Sequence, residues 1–164
     1  MRMTHSGEQC IGTNSTLYAD DFYTWCLTTA DLIRAGKWHD IDAEALAEEI
    51  ESMARSQKRE LESRIRILVM RLLKWCYQPE EHQYHGHSWR STINEQRSEL
   101  ELLLRDNPSL RSQLPEVLAE RYPKARAHDS NETGKPLATF SQVCPWMVPQ
   151  VLDNDFWPEG EPTP

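Results

Sequence analysis

The chain has 164 residues, of which 38% are hydrophobic and 27% charged, and its formal net charge is −8. This length allows one domain with a real core, and the six tryptophans exclude a wholly disordered chain. The acidic balance disfavours nucleic acid and an anionic membrane surface as partners, because both need an excess of Lys and Arg.

The sequence also indicates a compartment. The N-terminus lacks the apolar stretch of a secretion signal, and no apolar run approaches the roughly 20 residues of a membrane span. The four cysteines contain no Cys-x-x-Cys pair, and they are Cys10, Cys26, Cys76 and Cys144. Reduced core thiols are therefore favoured over disulfides or a zinc site. We expect a cytoplasmic protein.

Both ends of the chain lack periodicity. We expect an N-terminal tail over residues 1–16, a single helical domain over residues 17–158 and a C-terminal tail over residues 159–164. The first predicted helix covers about residues 20–35. Asp20 or Asp21 can cap its free N–H groups, and Gly36 supplies a left-handed stop.

The second predicted helix is the longest, at about residues 43–78. Asp42 can cap its start, and Pro79 ends it because the residue before a proline disfavours helical geometry. A nearly continuous stripe at spacings of three and four runs from Leu46 to Trp75 or Cys76, and it is apolar except at Gln57. From Ile65 onward the opposite face is apolar too, so this half must be covered by other helices or by a second copy.

Charged pairs support this helix. Three Glu residues precede an Arg by four positions, and the pairs are Glu51–Arg55, Glu60–Arg64 and Glu62–Arg66. Each such pair stabilises a helix by about 0.3 kcal/mol.

A third helix is predicted at about residues 88–106. The preceding loop is short, so the second and third helices should form an antiparallel hairpin. This register brings Trp75 near Trp89 and predicts an ion pair between Arg71 and Glu95.

The last predicted elements are shorter. A helix at about residues 108–128 should be kinked or divided by Pro115 and Pro123. Residues 137–141 are consistent with an extended segment, and residues 145–152 with a short helix begun by proline. The whole pattern predicts an all-α helical bundle.

Several motifs occur in the order found in one bacterial family. They are Tyr18 with Asp21-Phe22-Tyr23 and Trp25, Leu46 to Glu51, Leu72 to Trp75 with Tyr77-Gln78-Pro79, Ser88-Trp89-Arg90, Pro108-Ser109-Leu110, and Cys144-Pro145-Trp146. On these motifs the chain resembles the family catalogued as domain of unknown function twenty-nine. The resemblance implies an all-α bundle in the bacterial cytoplasm and brings no activity. The family pattern often has His where this chain has Arg71.

The acidic start of the second helix is the first candidate site. Glu48 and Glu51 are one turn apart, so they can point together as carboxylates do in helical metal or catalytic sites. Such sites normally need a Glu-x-x-His partner from another helix, and no predicted helix supplies one. A solvated acidic face is therefore the favoured interpretation.

His82, His85 and His87 form a second candidate, a metal-binding loop between the second and third helices. An exposed polar loop is the favoured alternative, because a matching set of ligands is missing elsewhere. Apart from a divalent metal at these two candidates, no cofactor is expected.

Tryptophans beside arginines raise a nucleic-acid hypothesis, because bases stack on aromatic rings. Trp75 and Trp89 are better explained as packing neighbours in the hairpin, and acidic residues surround Arg90 and Arg97. Nucleic acid is therefore not an expected partner. The sequence contains no Gly-x-Ser-x-Gly motif and no phosphate-binding loop.

The composition and motifs favour a non-enzymatic protein-interaction or regulatory module. Its partner would be another protein or a second copy, with a homodimer formed through the apolar second half of the second helix. The alternative is a metal-dependent hydrolase or nuclease that uses Glu48 and Glu51. An antitoxin-like partner protein is a third hypothesis and rests on size and acidity alone.

Overall fold

The structure is a computed structural model and describes residues 16–159. This part of the chain is mainly helical and contains no strand, which confirms the all-α class. Residues 16–20 are helical, and they precede the α-helices α1 (Phe22–Arg34), α2 (Ala43–Tyr77), α3 (His82–Asp106), α4 (Leu114–Thr133) and α5 (Val148–Leu152). Short 3-10 helices cover Trp38–Asp40, Pro79–Glu81, Pro108–Gln113 and Leu137–Thr139. Apart from residues 16 and 159, the predicted tails lie outside the described residues.

The chain divides into two compact units, and the boundary lies inside α2. The N-terminal unit is Met1–Arg55, described from residue 16, and the C-terminal unit is Ser56–Pro164, described to residue 159. A single domain over residues 17–158 stays a prediction.

In the N-terminal unit, local hydrogen bonds explain where the helices begin and end. The Asp21 carboxylate caps α1 by accepting from the Thr24 N–H at 3.1 Å. Gly36 follows the helix with a φ of 68°, and its N–H donates to Ile33 O at 3.0 Å. Asp42 caps α2 by accepting from the Ala45 N–H at 3.1 Å. These contacts confirm the predicted caps and the glycine stop.

In the C-terminal unit, α2 and α3 form the predicted antiparallel hairpin. Three polar contacts run down the pair: His82 to Trp75 O at 2.9 Å, Arg64 to Glu99 at 3.0 Å, and Asn107 to Gln57 at 3.3 Å. The residue number falls along α2 as it rises along α3, which defines the antiparallel register.

The start of α3 differs from the prediction. The helix begins at His82 rather than Ser88. The prediction began too late because the first turns of the helix are polar, whereas the apolar periodicity starts only at Trp89. The connection is reduced to Gln78 and one 3-10 turn. Gly86 is buried within α3, where an added Cβ would lie 3.5 Å from the His82 Cβ and 3.9 Å from the Trp75 ring.

The segment from Pro108 to Thr133 is divided at one place only, between Gln113 and Leu114. A 3-10 helix over Pro108–Gln113 precedes α4, and Pro115 lies in the first turn, where its missing N–H costs nothing. Pro123 lies inside α4, which continues to Thr133 rather than ending near residue 128. Gly134 ends it with a φ of 70°.

The end of the chain also differs in part. Residues 137–139 form a 3-10 turn rather than an extended strand, although Phe140 is extended and buried. The predicted short helix is confirmed but begins at Val148, with Pro149 in its first turn.

The core of the C-terminal unit explains why the second half of α2 is apolar on both faces. Its buried α2 residues are Leu61, Ile65, Leu68, Val69, Leu72, Leu73, Cys76 and Tyr77. They pack with buried residues of α3, α4 and the segment after α4, such as Ile93, Leu100, Val117, Tyr122, Phe140 and Trp146. Helices of the same chain therefore cover this half of α2, and its apolar pattern gives no reason to expect a homodimer there.

Arg97 of α3 fixes the last described segment to this core. Only 3% of the residue is exposed. Its guanidinium donates to Val151 O at 3.0 Å, to Phe156 O at 2.8 Å and to Asn154 O at 3.5 Å. Backbone carbonyls that lack helical partners are thereby satisfied.

Candidate functional site

The predicted acidic cluster lies on α2 in the N-terminal unit. Glu48 is exposed, and Glu51 is exposed and pairs with Arg55 at 3.1 Å, as the sequence predicted. Glu49 is half-buried and accepts a 2.6 Å hydrogen bond from the Tyr18 hydroxyl. This bond is the main reason why the pKa of Tyr18 is raised to about 12. These contacts are those of a solvated acidic helix face.

The three predicted histidine ligands lie on α3 instead of a loop, and they serve different contacts. The His82 ring stacks on Trp75 with centroids 4.1 Å apart. His85 lies 3.7 Å from Glu81 and stacks on Trp89, and His87 is exposed. Among the described residues, these histidines do not share a three-ligand group with one another or with Glu48 and Glu51.

The predicted neighbours Trp75 and Trp89 are joined through His82. The His82 ring lies 4.1 Å from Trp75 and 6.1 Å from Trp89, between centroids. Trp89 is buried and Trp75 half-buried, so the rings are part of the packing of the hairpin end. The Arg90 guanidinium lies 5.3 Å from the Trp75 ring centroid and 5.0 Å from that of Trp157, a cation–π arrangement within the chain.

The other predicted ion pairs have mixed outcomes. Arg64 binds Glu60 at 2.8 Å, as predicted, and Glu62 pairs with Arg121 of α4. In the part of the chain that the structure describes, Arg71 and Glu95 form no ion pair. Arg71 instead lines a polar cleft.

This polar cleft lies between α2, α3 and the end of α4 and has a volume of about 490 Å³. It is lined by Arg71, Lys74, Gln78, Glu81, His85, Ser88, Trp89, Glu132 and Thr133. The Lys74 side chain is buried, and its Nζ donates to the Glu132 Oε1 at 2.5 Å. That bond is the main reason why the pKa of Glu132 lies below its usual range.

Next to Glu132 is a buried carboxylate that the sequence did not single out. Asp129 of α4 has no exposed surface, and neither of its oxygens has a hydrogen-bond partner. Burial raises the pKa of Asp129 to about 7, although the charge of Lys74 acts in the opposite direction. An unsatisfied buried carboxylate is rare, because its desolvation is costly.

His128 completes a group of three donors with these two carboxylates. Its Nδ1 lies 3.4 Å from the Glu132 Oε2 and 3.7 Å from the Asp129 Oδ1. One donor atom from each residue lies within 4.8 Å of the others. The spacing i, i+1, i+4 was the available sequence signal. It was missed because the helix was predicted to end near residue 128.

The N-terminal unit carries a different kind of surface. Within residues 16–55, seven large apolar side chains are exposed, and they are Phe22, Tyr23, Leu27, Ile33, Trp38, Ile50 and Met53. On α2, Ile50 and Met53 follow the half-buried Leu46 at spacings of four and three, so they form one stripe. We call these seven residues together with Leu46 the apolar surface.

Comparison with known families decides the classification. The family described as Domain of unknown function DUF29 matches residues 17–157. The chain belongs to this family. Membership in DUF29 confirms the resemblance found from the motifs, and the helical structure agrees with it.

DUF29 membership assigns no activity, and no curated protein and no solved structure matches the chain. Its function must therefore be argued from the apolar surface and the His128 group. Within residues 16–159, no helix combines the length and the hydropathy needed to cross a membrane.

Proposed function

We propose that the protein is a non-enzymatic interaction module and that the apolar surface of its N-terminal unit binds a basic, amphipathic segment of another protein. The observation that carries this proposal is the exposure of seven large apolar side chains within residues 16–55. Single exposed apolar residues are ordinary, whereas neighbouring exposed apolar side chains, such as Ile50 and Met53 beside Leu46 on α2, mark a binding surface.

The energy available from this surface is sufficient for binding. Ile50 is 59% exposed, Met53 67% and Trp38 65%. Burial of a Val, Leu, Ile, Phe or Met side chain contributes about 1.5–3 kcal/mol. A partner that covers a few of them therefore gains enough free energy to offset the loss of translational and rotational freedom.

Charge selects the kind of partner. Residues 16–55 contain nine Asp and Glu against three Lys and Arg, which gives this part a formal charge of −6. A second copy would bring the same charge to the interface, and like charges oppose association. A segment with Lys and Arg beside apolar residues matches both properties of the surface.

The cytoplasmic location is also part of this proposal. Cys26 and Cys144 are free thiols. Free thiols fit a reducing compartment. The alternative function, a metal-dependent hydrolase or nuclease using Glu48 and Glu51, has no comparable support, because Glu51 is occupied by Arg55.

The test uses synthetic amphipathic peptides and calorimetry. A Lys/Leu helical peptide should bind the full chain with an affinity that falls as salt is added. The variant Ile50→Ser/Met53→Ser should weaken binding by about tenfold or more, because one buried apolar side chain is worth over 1.4 kcal/mol. Light scattering should find a monomer at high protein concentration.

The matched control is Leu102→Ser, which changes an exposed leucine of the C-terminal unit. Binding by this variant should equal that of the unchanged chain. The proposal would be contradicted if a Glu/Leu peptide of the same pattern bound as tightly as the Lys/Leu peptide. It would also be contradicted if Leu102→Ser weakened binding as much as Ile50→Ser/Met53→Ser does. A dimer that Ile50→Ser/Met53→Ser dissociates would identify a second copy as the occupant instead.

A further inference from the structure

We propose that His128, Asp129 and Glu132 of α4 bind one divalent transition-metal cation, with Zn²⁺ as the representative ion. The site lies wholly in the C-terminal unit, and it shares no residue with the apolar surface. It uses none of the residues that the sequence put forward as ligands.

The first argument is the position of the donor atoms. In a tetrahedral zinc site with bonds of about 2.0–2.1 Å, neighbouring donors are roughly 3.4 Å apart. The His128 Nδ1 already lies 3.4 Å from the Glu132 Oε2 and 3.7 Å from the Asp129 Oδ1. All three donors lie within 4.8 Å of one another, so small rotations complete the geometry.

The second argument is independent of the cluster itself. Asp129 is fully buried with both oxygens lacking a hydrogen-bond partner, while its Oδ1 faces the His128 ring. A buried carboxylate without a partner is costly, and such groups are normally paired or coordinate a metal. A cation held by these three donors supplies the partner that the Asp129 carboxylate lacks.

Lys74 explains how Glu132 is held for this role. The Lys74 Nζ binds the Glu132 Oε1 at 2.5 Å, and the Oε2 is directed to His128. The carboxylate thus presents one oxygen to the ligand group and the other to a supporting contact on α2, an arrangement common around metal ligands. Lys74 is a positioning residue here.

The donor types select the class of ion. One imidazole nitrogen with two carboxylate oxygens suits Zn²⁺, Mn²⁺ or Fe²⁺, whereas Mg²⁺ and Ca²⁺ prefer oxygen ligands alone. Three protein ligands leave room for a water or for an oxygen of a bound molecule. His128 is half exposed, so the cation has a path from solvent.

The test uses the full chain without an affinity tag, stripped with a chelator. Calorimetry with Zn²⁺ should give one bound ion per chain, and excess Mg²⁺ should not displace it. Zn²⁺ should also raise the melting temperature, because it binds the folded state. His128→Gln, Asp129→Asn and Glu132→Gln should each weaken Zn²⁺ binding by about tenfold or more.

Two controls separate this site from unspecific binding. His87→Gln removes another exposed histidine, and Glu120→Gln removes another exposed acid of α4, so both should leave Zn²⁺ binding unchanged. Because His128 is half exposed, His128→Gln should fold even if Asp129→Asn does not. The proposal is overturned if the chain binds no Zn²⁺, if His128→Gln binds it as tightly as the unchanged chain, or if His87→Gln weakens binding as much as His128→Gln does.

Discussion

Ile50 and Ile65 lie on the same helix, yet Ile50 is 59% exposed and Ile65 only 1%. The first belongs to the N-terminal unit and the second to the C-terminal unit. Both were placed on one apolar stripe by their spacing. The difference teaches that a stripe predicts a buried face only where other elements of the chain are present to cover it.

Charge follows the same division. The described N-terminal part carries nine acidic and three basic residues, whereas residues 56–159 carry fifteen and fourteen. In the C-terminal unit, arginines bind carbonyls and carboxylates inside the fold, as Arg97 and Arg121 do. In the N-terminal unit, Arg34 and Arg55 pair at the surface. The C-terminal unit thus uses these arginines inside its fold, whereas the described N-terminal part is acidic and exposes large apolar side chains.

The largest expected difference comes from one substitution made in both units. Ile65→Ala should lower the free energy of unfolding by about 2–5 kcal/mol, because it leaves a cavity in a packed core. Ile50→Ala should change it by less than about 0.5 kcal/mol, because most of the residue is already exposed to water. Urea unfolding followed by circular dichroism measures both. Equal losses would remove the distinction between the units.

Arginine replacements should show the next largest effect. Arg97→Lys should cost about 2 kcal/mol, because an ammonium cannot reach the carbonyls that the guanidinium satisfies and leaves them buried. Arg55→Lys should cost less than about 0.5 kcal/mol, because its partner is exposed. The same unfolding experiment compares them. A cost for Arg97→Lys as small as that for Arg55→Lys would show that the segment after α5 does not depend on Arg97.

Much of the fold was predictable from local signals. Asp21, Asp42, Gly36 and Gly134 act through bonds or dihedral angles within a few residues, and the first three were assigned from sequence. The hairpin register followed from the short connection. The start of α3 was not predictable from apolar spacing, because residues 82–87 hold their helix through contacts such as that of His82 with Trp75.

The candidate sites were harder to predict, because they depend on contacts between distant residues. Nothing in the spacing of His128, Asp129 and Glu132 indicates that Asp129 is buried without a partner or that Lys74 approaches from α2. Conversely, the Glu48–Glu51 pair and the α3 histidines have ligand chemistry, but within residues 16–159 neither set forms a group of three donors. Residue type alone identified groups that could bind a metal, and only the packing distinguished among them.

Ion pairs sharpen the comparison at a smaller scale. Arg64 bridges Glu60 and Glu99 with only 22% of its side chain exposed, whereas Arg55 is 57% exposed and binds Glu51. A double-mutant cycle for Arg64 and Glu99 should give a coupling of about 1 kcal/mol, at the upper end for partly exposed pairs. The cycle for Arg55 and Glu51 should give about 0.3 kcal/mol. A larger coupling energy for Arg55 and Glu51 than for Arg64 and Glu99 would contradict the view that ion pairs stabilise chiefly the C-terminal unit.

The smallest expected effect concerns the first turn of α1. Asp21 accepts bonds from the Thr24 hydroxyl and N–H, and these hold the pKa of Asp21 below its usual range. A group whose pKa is lower in the folded state contributes stability above its unfolded pKa, about 4, and loses it as the pH falls through the folded pKa. Acid should therefore loosen this turn.

Amide exchange at Thr24 reports that loosening directly, because its N–H donates to the Asp21 carboxylate. Asp21→Asn keeps a capping side chain that does not titrate. The measured quantity is a ratio: the protection of an amide in the unchanged chain divided by its protection in Asp21→Asn at the same pH. For the Thr24 amide, this ratio should fall a few-fold between about pH 5 and about pH 3. The same ratio for Ile93, in the core of the C-terminal unit, should stay constant. A parallel fall at Ile93 would mean that the acid response belongs to the whole fold and not to the exposed N-terminal unit.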